Sequence, residues 1–167
     1  MWKFTDLEGC QSLIVGEVNT GKTQMTQTLL NEALALQKEV AVIDMGPGKQ
    51  TVGGKLICDC DYYTTDIETP RLSGKTEEEV ITLATSNKKR IDTLLETYKP
   101  CTVLFINDVS IYLQRGEVET IVSVMSSSET CIINGYIGKS LGNDPFSAEE
   151  RRKMIELQKH CNIIIWR

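Results

Sequence analysis

The segment from Gly16 to Thr23 limits what this chain can fold into more than any other feature. It reads Gly-Glu-Val-Asn-Thr-Gly-Lys-Thr and fits the pattern G-x-x-x-x-G-K-T. A mostly apolar run at 12–15 precedes it and predicts a buried strand, and residues 24–37 have the spacing of a helix. A strand, a glycine-rich turn and a helix in this order are typical of α/β proteins that bind an anion at the helix amino terminus.

The residue types in this turn predict a nucleoside triphosphate and Mg²⁺ as its ligands. Glycines allow successive backbone N–H groups to approach phosphate oxygens. Lys22 is expected to reach the β- and γ-phosphates, and the Thr23 hydroxyl is expected to bind the metal. No N-K-x-D guanine signature is found in the sequence, and ATP is the expected nucleotide. The predicted nucleotide-binding residues of this turn are Gly16, Glu17, Val18, Asn19, Thr20, Gly21, Lys22, Thr23 and Gln24.

Composition indicates one globular domain over residues 1–167. With 41% hydrophobic residues in 167, the chain can bury a sizeable core. A net charge of −5 disfavours a general nucleic-acid coat or a membrane-surface protein, although a local basic site for nucleic acid stays open. No apolar run approaches the roughly 18 residues of a membrane span, and no signal-peptide pattern is found. We expect a cytoplasmic protein.

The six cysteines do not form a pattern typical of zinc sites. Cys58-Asp59-Cys60 is the one close pair, and a four-ligand site would need a second pair. Other cysteines border apolar segments, where thiols behave as small hydrophobes. We expect neither zinc nor structural disulfides, while noting that hyperthermophiles do form disulfides inside the cell.

Strand-like and helix-like segments alternate along the chain. The pattern predicts an α/β fold, a three-layer αβα sandwich with a mainly parallel five-stranded sheet that binds ligands at the carboxyl ends of its strands. Capping boxes at 76–79 and 147–150 predict two helix starts. The predicted strands are 12–15, 40–43, 103–106, 131–133 and 163–166.

Residues 45–75 lack clear periodicity. A segment of this length predicts either a β-hairpin insertion around 51–63 or a mobile substrate loop that becomes ordered when ligand binds. Tyr62 and Tyr63 could stack on a base, but we favour a role in packing the segment onto the domain.

Two carboxylates follow predicted buried strands. Asp108 comes after 103–107, and Asp44 comes after 40–43. An Asp in such a position can order the Mg²⁺ that the loop threonine binds. We expect Asp108 to hold the metal with Thr23, and Asp44 is the second candidate. A cap or turn role for either Asp stays open.

Taken together, the glycine-rich loop and Asp108 resemble the core of RecA-like (ASCE-type) P-loop NTPases. In those proteins an intervening strand separates the loop from the metal carboxylate. Asn134 resembles their polar sensor residue, which contacts the γ-phosphate. They usually carry a Glu beside the metal carboxylate, whereas Asn107 and Val109 flank Asp108 here. Slow hydrolysis, or a base from elsewhere in the fold, is therefore expected.

Residues 16–55 also resemble the ATP-binding core of polynucleotide 5′-hydroxyl kinases of the pre-mRNA cleavage-factor type. That family carries a D-x-D-x-G-Q motif after the second strand, near the metal and the acceptor hydroxyl. Asp44 and Gly48 match it, while Gly46 and Lys49 stand at its second Asp and its Gln. The resemblance implies that Asp44 faces the acceptor and shares catalysis with Lys22 and Asp108.

Basic residues that could serve the transfer are few. Arg151 and Arg152 begin a predicted helix in the manner of phosphotransferase lid residues, and 88–90 could meet nucleic-acid phosphate. For both groups a solvated helix face is the favoured interpretation.

Three functions agree with these features. The first is γ-phosphoryl transfer from Mg-ATP to water, which we favour. The second is a kinase acting on the 5′-hydroxyl of a nucleic acid or a nucleoside. The third is an ATP-gated binding or assembly module, which could form homo-oligomers and turn over little ATP.

Overall fold

The computed structural model of the chain describes residues 1–48 and 54–167. Its strands are β1 (Gln11–Gly16), β2 (Val40–Asp44), β3 (Asp61–Thr64), β4 (Val103–Asn107), β5 (Thr130–Tyr136) and β6 (Ile163–Trp166). Its helices are α1 (Phe4–Leu7), α2 (Lys22–Ala35), α3 (Pro70–Ser73), α4 (Glu77–Thr97), α5 (Val109–Leu113), α6 (Val118–Met125) and α7 (Pro145–Gln158).

The strands form one parallel sheet in the order β3-β2-β4-β5-β1-β6. This confirms the predicted parallel α/β fold, but the sheet has six strands, and the predicted number of five was wrong. The strand that was missed, β3, pairs in parallel with β2, with Tyr62 opposite Val42. It lies at the sheet edge and has no fully buried residue, so no apolar run marks it in the sequence.

Apolar side chains cover both faces of the sheet because successive residues of a strand point to opposite sides. On one face Leu13 and Leu104 pack with residues of α4, α5, α6 and α7. On the other face Ile14 and Phe105 pack with α1 and α2. The fold is therefore the predicted helix–sheet–helix sandwich.

The two expected capping boxes have different outcomes. Thr76 caps α4 as predicted, because its Oγ1 accepts the N–H of Glu79 at 3.1 Å. The box at 147–150 was wrong: the N-cap is Asp144, three residues before Ser147, and Asp144 accepts the N–H of Ser147 at 3.0 Å. The helix α7 therefore begins at Pro145. Proline fits the first helical position because it has no N–H to satisfy, which moves the cap to the preceding Asp.

Within 45–75, the described residues 54–75 contain β3 and α3 rather than one irregular loop. Residues 49–53, which include part of the expected hairpin and the Lys49 position of the kinase-like motif, lie outside the described residues. Both tyrosines pack onto the domain, as favoured: the Tyr62 hydroxyl donates to Asp44, and Tyr63 meets Tyr98 edge to face at 5.4 Å.

The cysteine expectation was wrong for one pair. Cys58 and Cys60 form a disulfide, whereas Cys10, Cys101, Cys131 and Cys161 are free thiols. In the described part of the chain no cluster of three metal-ligating side chains is found. Nor does any described helix combine the length and apolarity needed to cross a bilayer.

We predict that Leu104→Ala lowers the free energy of unfolding by about 2–5 kcal/mol, since Leu104 is fully buried in a central strand and its truncation leaves a cavity. Urea denaturation measures the loss. Leu36→Ala, at a half-exposed site, is the matched control and should change stability by less than about 0.5 kcal/mol. Equal losses in both variants would contradict the assigned core.

Candidate functional site

The glycine-rich loop joins the end of β1 to the start of α2. Gly21 precedes α2 with a φ of +84°, a left-handed conformation that glycine adopts at little cost. Gly16 meets a steric limit, because a Cβ there would lie 2.2 Å from the Arg167 carbonyl oxygen. Both glycines of the sequence pattern are thus required by the local backbone.

The backbone N–H groups of this loop have hydrogen-bonding capacity that the described residues do not use. Within the described residues, none of the N–H groups of residues 19–23 donates a hydrogen bond to the protein. They lie at the amino terminus of α2, which has 14 residues and carries partial positive charge there. Such an arrangement is suited to an oxyanion.

Lys22 lies against the loop. Its Nζ donates to the Glu17 carbonyl oxygen at 2.5 Å, and Thr20 Oγ1 donates to the same oxygen at 2.8 Å. Burial lowers the pKa of Lys22, while the negative charges of Asp108 and Glu17 oppose this shift. The ammonium group is therefore partly desolvated, which strengthens its attraction for an anion.

Glu17 fixes the loop that follows β5. Its carboxylate accepts the Ser140 hydroxyl and the N–H of Lys139, and these bonds lower the pKa of Glu17. Arg151 donates to the Gly138 carbonyl oxygen at 2.8 Å and so holds the same loop from α7. The side chain of Glu17 thus joins two loops, and its predicted contact with nucleotide stays a prediction.

The other basic residues considered in the sequence pair with acidic neighbours. Arg152 forms exposed ion pairs with Glu149 and Glu156, and Lys88 pairs with Asp92. These contacts favour the solvated-face interpretation for Arg152 and Lys88, whereas Arg151 bonds the Gly138 carbonyl oxygen.

Asp108 follows β4 directly in a left-handed conformation, with φ 59° and ψ 46°. Its N–H donates to Asn134 Oδ1 at 2.8 Å, and Ser110 Oγ lies 3.3 Å from its carboxylate. Burial raises the pKa of Asp108 to about 6, with the Lys22 charge acting in the opposite direction. The backbone bond to Asn134 sets the direction in which the Asp108 carboxylate leaves the sheet.

Asp44 is fully buried and is surrounded by donors. Its Oδ1 accepts the Gly46 N–H and Asn107 Nδ2, both at 2.9 Å. Its Oδ2 accepts the Leu56 N–H at 2.7 Å and the Tyr62 hydroxyl at 2.5 Å. Donors of the protein thus surround the Asp44 carboxylate, which the kinase resemblance implied would face the hydroxyl that accepts the phosphoryl group.

Asn134 lies within β5 and not just beyond it, which corrects the expected end of that strand. Its Nδ2 donates to Thr26 Oγ1 and to Asn107 Oδ1, each at 2.8 Å. With Asp108 N–H on its Oδ1, this buried amide is bonded to three neighbours.

A cavity of about 380 Å³ lies in front of the loop. Among the described residues, the charged side chains that line it are Lys22, Asp108 and Arg71. Gly16, Glu17 and Asp44 do not line it. It brings together these predicted site residues: Val18, Asn19, Thr20, Gly21, Lys22, Thr23, Gln24, Asp108 and Asn134.

Arg71 is a charged residue of the cavity lining that the sequence did not indicate. From α3 it forms a forked ion pair with buried Glu150 of α7, with N–O distances of 3.0 to 3.2 Å. Its guanidinium also lies 5.6 Å from the Tyr136 ring centre. Burial raises the pKa of Glu150, and Arg71 opposes this shift. Because the partners are distant in sequence, no local pattern could reveal the pair.

No family model matches the chain, and no curated protein matches it. Two solved structures are similar to it at low identity. The PH0250 protein of Pyrococcus horikoshii OT3 has 10% identity and a TM-score of 0.47, covering 98% of this chain and 85% of that one. The Hef helicase domain of Pyrococcus furiosus has 14% identity and a TM-score of 0.48, covering 98% of this chain. This chain spans 36% of that helicase chain.

We predict that Asp108 makes stability depend on pH. Its folded pKa of about 6 exceeds its ordinary value of 3.8, so the folded state holds the proton more tightly. This contribution is complete below about pH 4 and is lost as pH rises through about 6. Relative to Asp108→Asn, the wild type should therefore lose about 1–3 kcal/mol over that window without added metal.

Urea denaturation at several pH values tests this dependence. Asp66→Asn is the control, since Asp66 is exposed and lies outside the cavity lining. A wild type that keeps a constant stability difference from Asp108→Asn between pH 4 and pH 7 would contradict the prediction.

Proposed function

We propose that this protein binds a nucleoside triphosphate with Mg²⁺ and transfers its γ-phosphoryl group, with ATP as the nucleotide and water as the acceptor. One observation carries the proposal. The free N–H groups of residues 19–23 border the same cavity as Lys22 and Asp108. Together they offer backbone donors and a cation to phosphate oxygens, and a carboxylate to a metal.

The strand order supports a RecA-like assignment of the P-loop type. β5 lies between β1, which leads into the loop, and β4, which leads to Asp108. This is the intervening strand that the resemblance to RecA-like P-loop NTPases implies, and the loop and Asp108 follow the carboxyl ends of the two strands that flank β5.

The donor set fits a hard divalent cation. The Thr23 hydroxyl and the Asp108 carboxylate supply oxygen ligands, and Mg²⁺ takes few protein ligands because it keeps several waters and the phosphate oxygens. Bound Mg²⁺ would neutralise negative charge on the β- and γ-phosphates. Thr23 lines the cavity beside Lys22 at the first turn of α2.

The protein's own groups would then act on the triphosphate by position and charge. Lys22 would exchange the Glu17 carbonyl oxygen for phosphoryl oxygens, and the N–H groups of 19–23 would bind the charge that develops in transfer. The left-handed backbone of Asp108, held by Asn134, would keep its carboxylate directed at the metal.

Water is the proposed acceptor of the γ-phosphoryl group, and the cavity provides only weak activation of that water. Asp108 is the one carboxylate that lines the cavity among the described residues, so no second carboxylate is supplied there to polarise a water molecule. Slow hydrolysis follows, and this same observation favours the ATP-gated module as the second candidate. The kinase alternative depends on a motif whose last position, Lys49, lies outside the described residues, and whose first residue, Asp44, is enclosed by four donors.

We predict that Lys22→Ala weakens Mg-ATP binding roughly 10- to 100-fold, the effect expected for losing a charged hydrogen bond to phosphate. Isothermal titration gives the affinity, and circular dichroism checks that the variant is folded. Lys89→Ala removes an exposed lysine of α4 and should leave binding unchanged. Unchanged affinity in folded Lys22→Ala would refute the proposed site.

Incubation with γ-labelled ATP and Mg²⁺ identifies the acceptor. We expect the label in inorganic phosphate, at a rate that Asp108→Asn lowers roughly 10- to 100-fold because the metal is held less well. A second arm adds a 5′-hydroxyl oligonucleotide, and a third adds a nucleoside. Label that appears in either addition would identify a kinase, and binding without release would identify the gated module.

A further inference from the structure

We propose that Asp44 and Asn107 are positioning residues that set the orientation of Asp108 through a buried hydrogen-bond chain. The chain consists of Asp44, Asn107, Asn134 and Thr26, and it crosses the sheet from β2 to α2. Its effect on turnover rests on the proposed function, whereas its effect on backbone protection does not.

The chain is continuous, and all four residues are buried. Asn107 Nδ2 donates to Asp44 Oδ1 at 2.9 Å, and Asn134 Nδ2 donates to Asn107 Oδ1 at 2.8 Å. Asn134 Nδ2 also donates to Thr26 Oγ1 at 2.8 Å. Thr26 Oγ1 then donates to the Lys22 carbonyl oxygen at 2.9 Å, in the first turn of α2.

The Asp44 carboxylate and the Gly54 carbonyl oxygen together fix the direction of the bonds, because both accept from Asn107 Nδ2. A carboxylate only accepts hydrogen bonds, so Asn107 must present its amide nitrogen to Asp44 and its oxygen to Asn134. Asn134 must therefore present nitrogen to Asn107, which leaves its oxygen for the Asp108 N–H. Reversal of one amide would place two donors or two acceptors against each other at each following contact.

One end of the chain holds the segment that follows residue 53. Asp44 accepts the Leu56 N–H, and Asn107 Nδ2 donates to the Gly54 carbonyl oxygen at 2.7 Å. A second tether is independent of the chain, since Gln27 of α2 bonds both the N–H and the carbonyl oxygen of Ile57 at 2.8 Å. A test of the chain must therefore leave Gln27 intact.

The other end holds Asp108. A left-handed backbone is less favourable for a residue with a side chain than for glycine. The conformation of Asp108 therefore needs support from its surroundings. The bond from its N–H to Asn134 supplies that support. The direction of the Asp108 carboxylate thus depends on the negative charge of Asp44, which is three hydrogen bonds away through Asn134 and Asn107.

The test introduces Asp44→Asn and measures the far end. The new amide at position 44 can itself donate to Asn107, so that the Gly54 carbonyl oxygen alone still requires the nitrogen of Asn107. In molecules where the chain reverses, Asn134 places its nitrogen against the Asp108 N–H. We expect amide hydrogen exchange at Asp108 to accelerate roughly tenfold, the change typical of losing one backbone hydrogen bond. Mg-ATP affinity should stay within about twofold while turnover falls, because the phosphate-binding donors of the loop are untouched.

The double variant Asp44→Asn/Asn107→Asp provides a rescue. It moves the carboxylate one residue along the hydrogen-bond chain, where it can accept from both position 44 and Asn134. The bond from position 107 to the Gly54 carbonyl oxygen is lost, so the rescue concerns the Asp108 end of the chain. Asn134 then again presents its oxygen to Asp108. Protection at Asp108 and turnover should both return toward wild type, which a purely structural role would not produce, because a second buried substitution would only add damage.

Asn87→Asp is the matched control. Asn87 is a buried asparagine of α4 that bonds only the backbone of Glu68, outside the chain. It should leave exchange at Asp108 unchanged. Should Asp44→Asn fail to fold, Asn134→Asp tests the chain from the opposite end, since it reverses Asn107 and should accelerate exchange at Leu56.

The outcomes separate the two proposals. Faster exchange confined to residues 46 and 54–57, or no rescue by the double variant, would overturn the positioning role. In a third outcome, Asp44→Asn lowers protection at Asp108 and the double variant restores it, but the protein does not bind Mg-ATP. This outcome would support the positioning role and refute the proposed function.

Discussion

The insertion of β5 between β1 and β4 is the constraint on which the rest of the site depends. It places Asn134 between Thr26 of α2 on one side and Asn107 of β4 on the other, so that three polar side chains meet where the sheet contacts α2. Buried amides are costly unless they are bonded, and here each one bonds the next. The polar chain is therefore possible only with this strand order.

Charge in the cavity is balanced within a small volume. Lys22 and Arg71 face Asp108, and Glu150 neutralises Arg71 from behind. Breaking the buried Arg71–Glu150 pair would leave an unpaired charge, so the pair holds α3 and α7 together. Through Arg71 the short helix α3, whose residues 70–72 line the cavity, is joined to α7.

Much of the fold could be predicted because buried parallel strands are continuous apolar runs. The predicted strands at 40–43 and 103–106 lie within β2 and β4, and Thr76 marked the start of α4 correctly. β3 could not be found in this way, because an edge strand pairs through its backbone and needs no apolar run. The start of α7 was misplaced because Ser147 and Asp144 carry similar capping signals, and Pro145 favours the earlier one.

The sequence by itself determined the glycine-rich loop, its glycines, Lys22, and the position of Asp108 after a buried strand, because these features depend on residues close together in the chain. Only the tertiary structure decided that Asp44 faces four donors, that Glu17 bonds the loop after β5, and that Arg71 meets Glu150. These contacts join residues that are distant in the chain. They exist because parallel strands bring separate segments to one edge of the sheet, and no local spacing records which segments become neighbours.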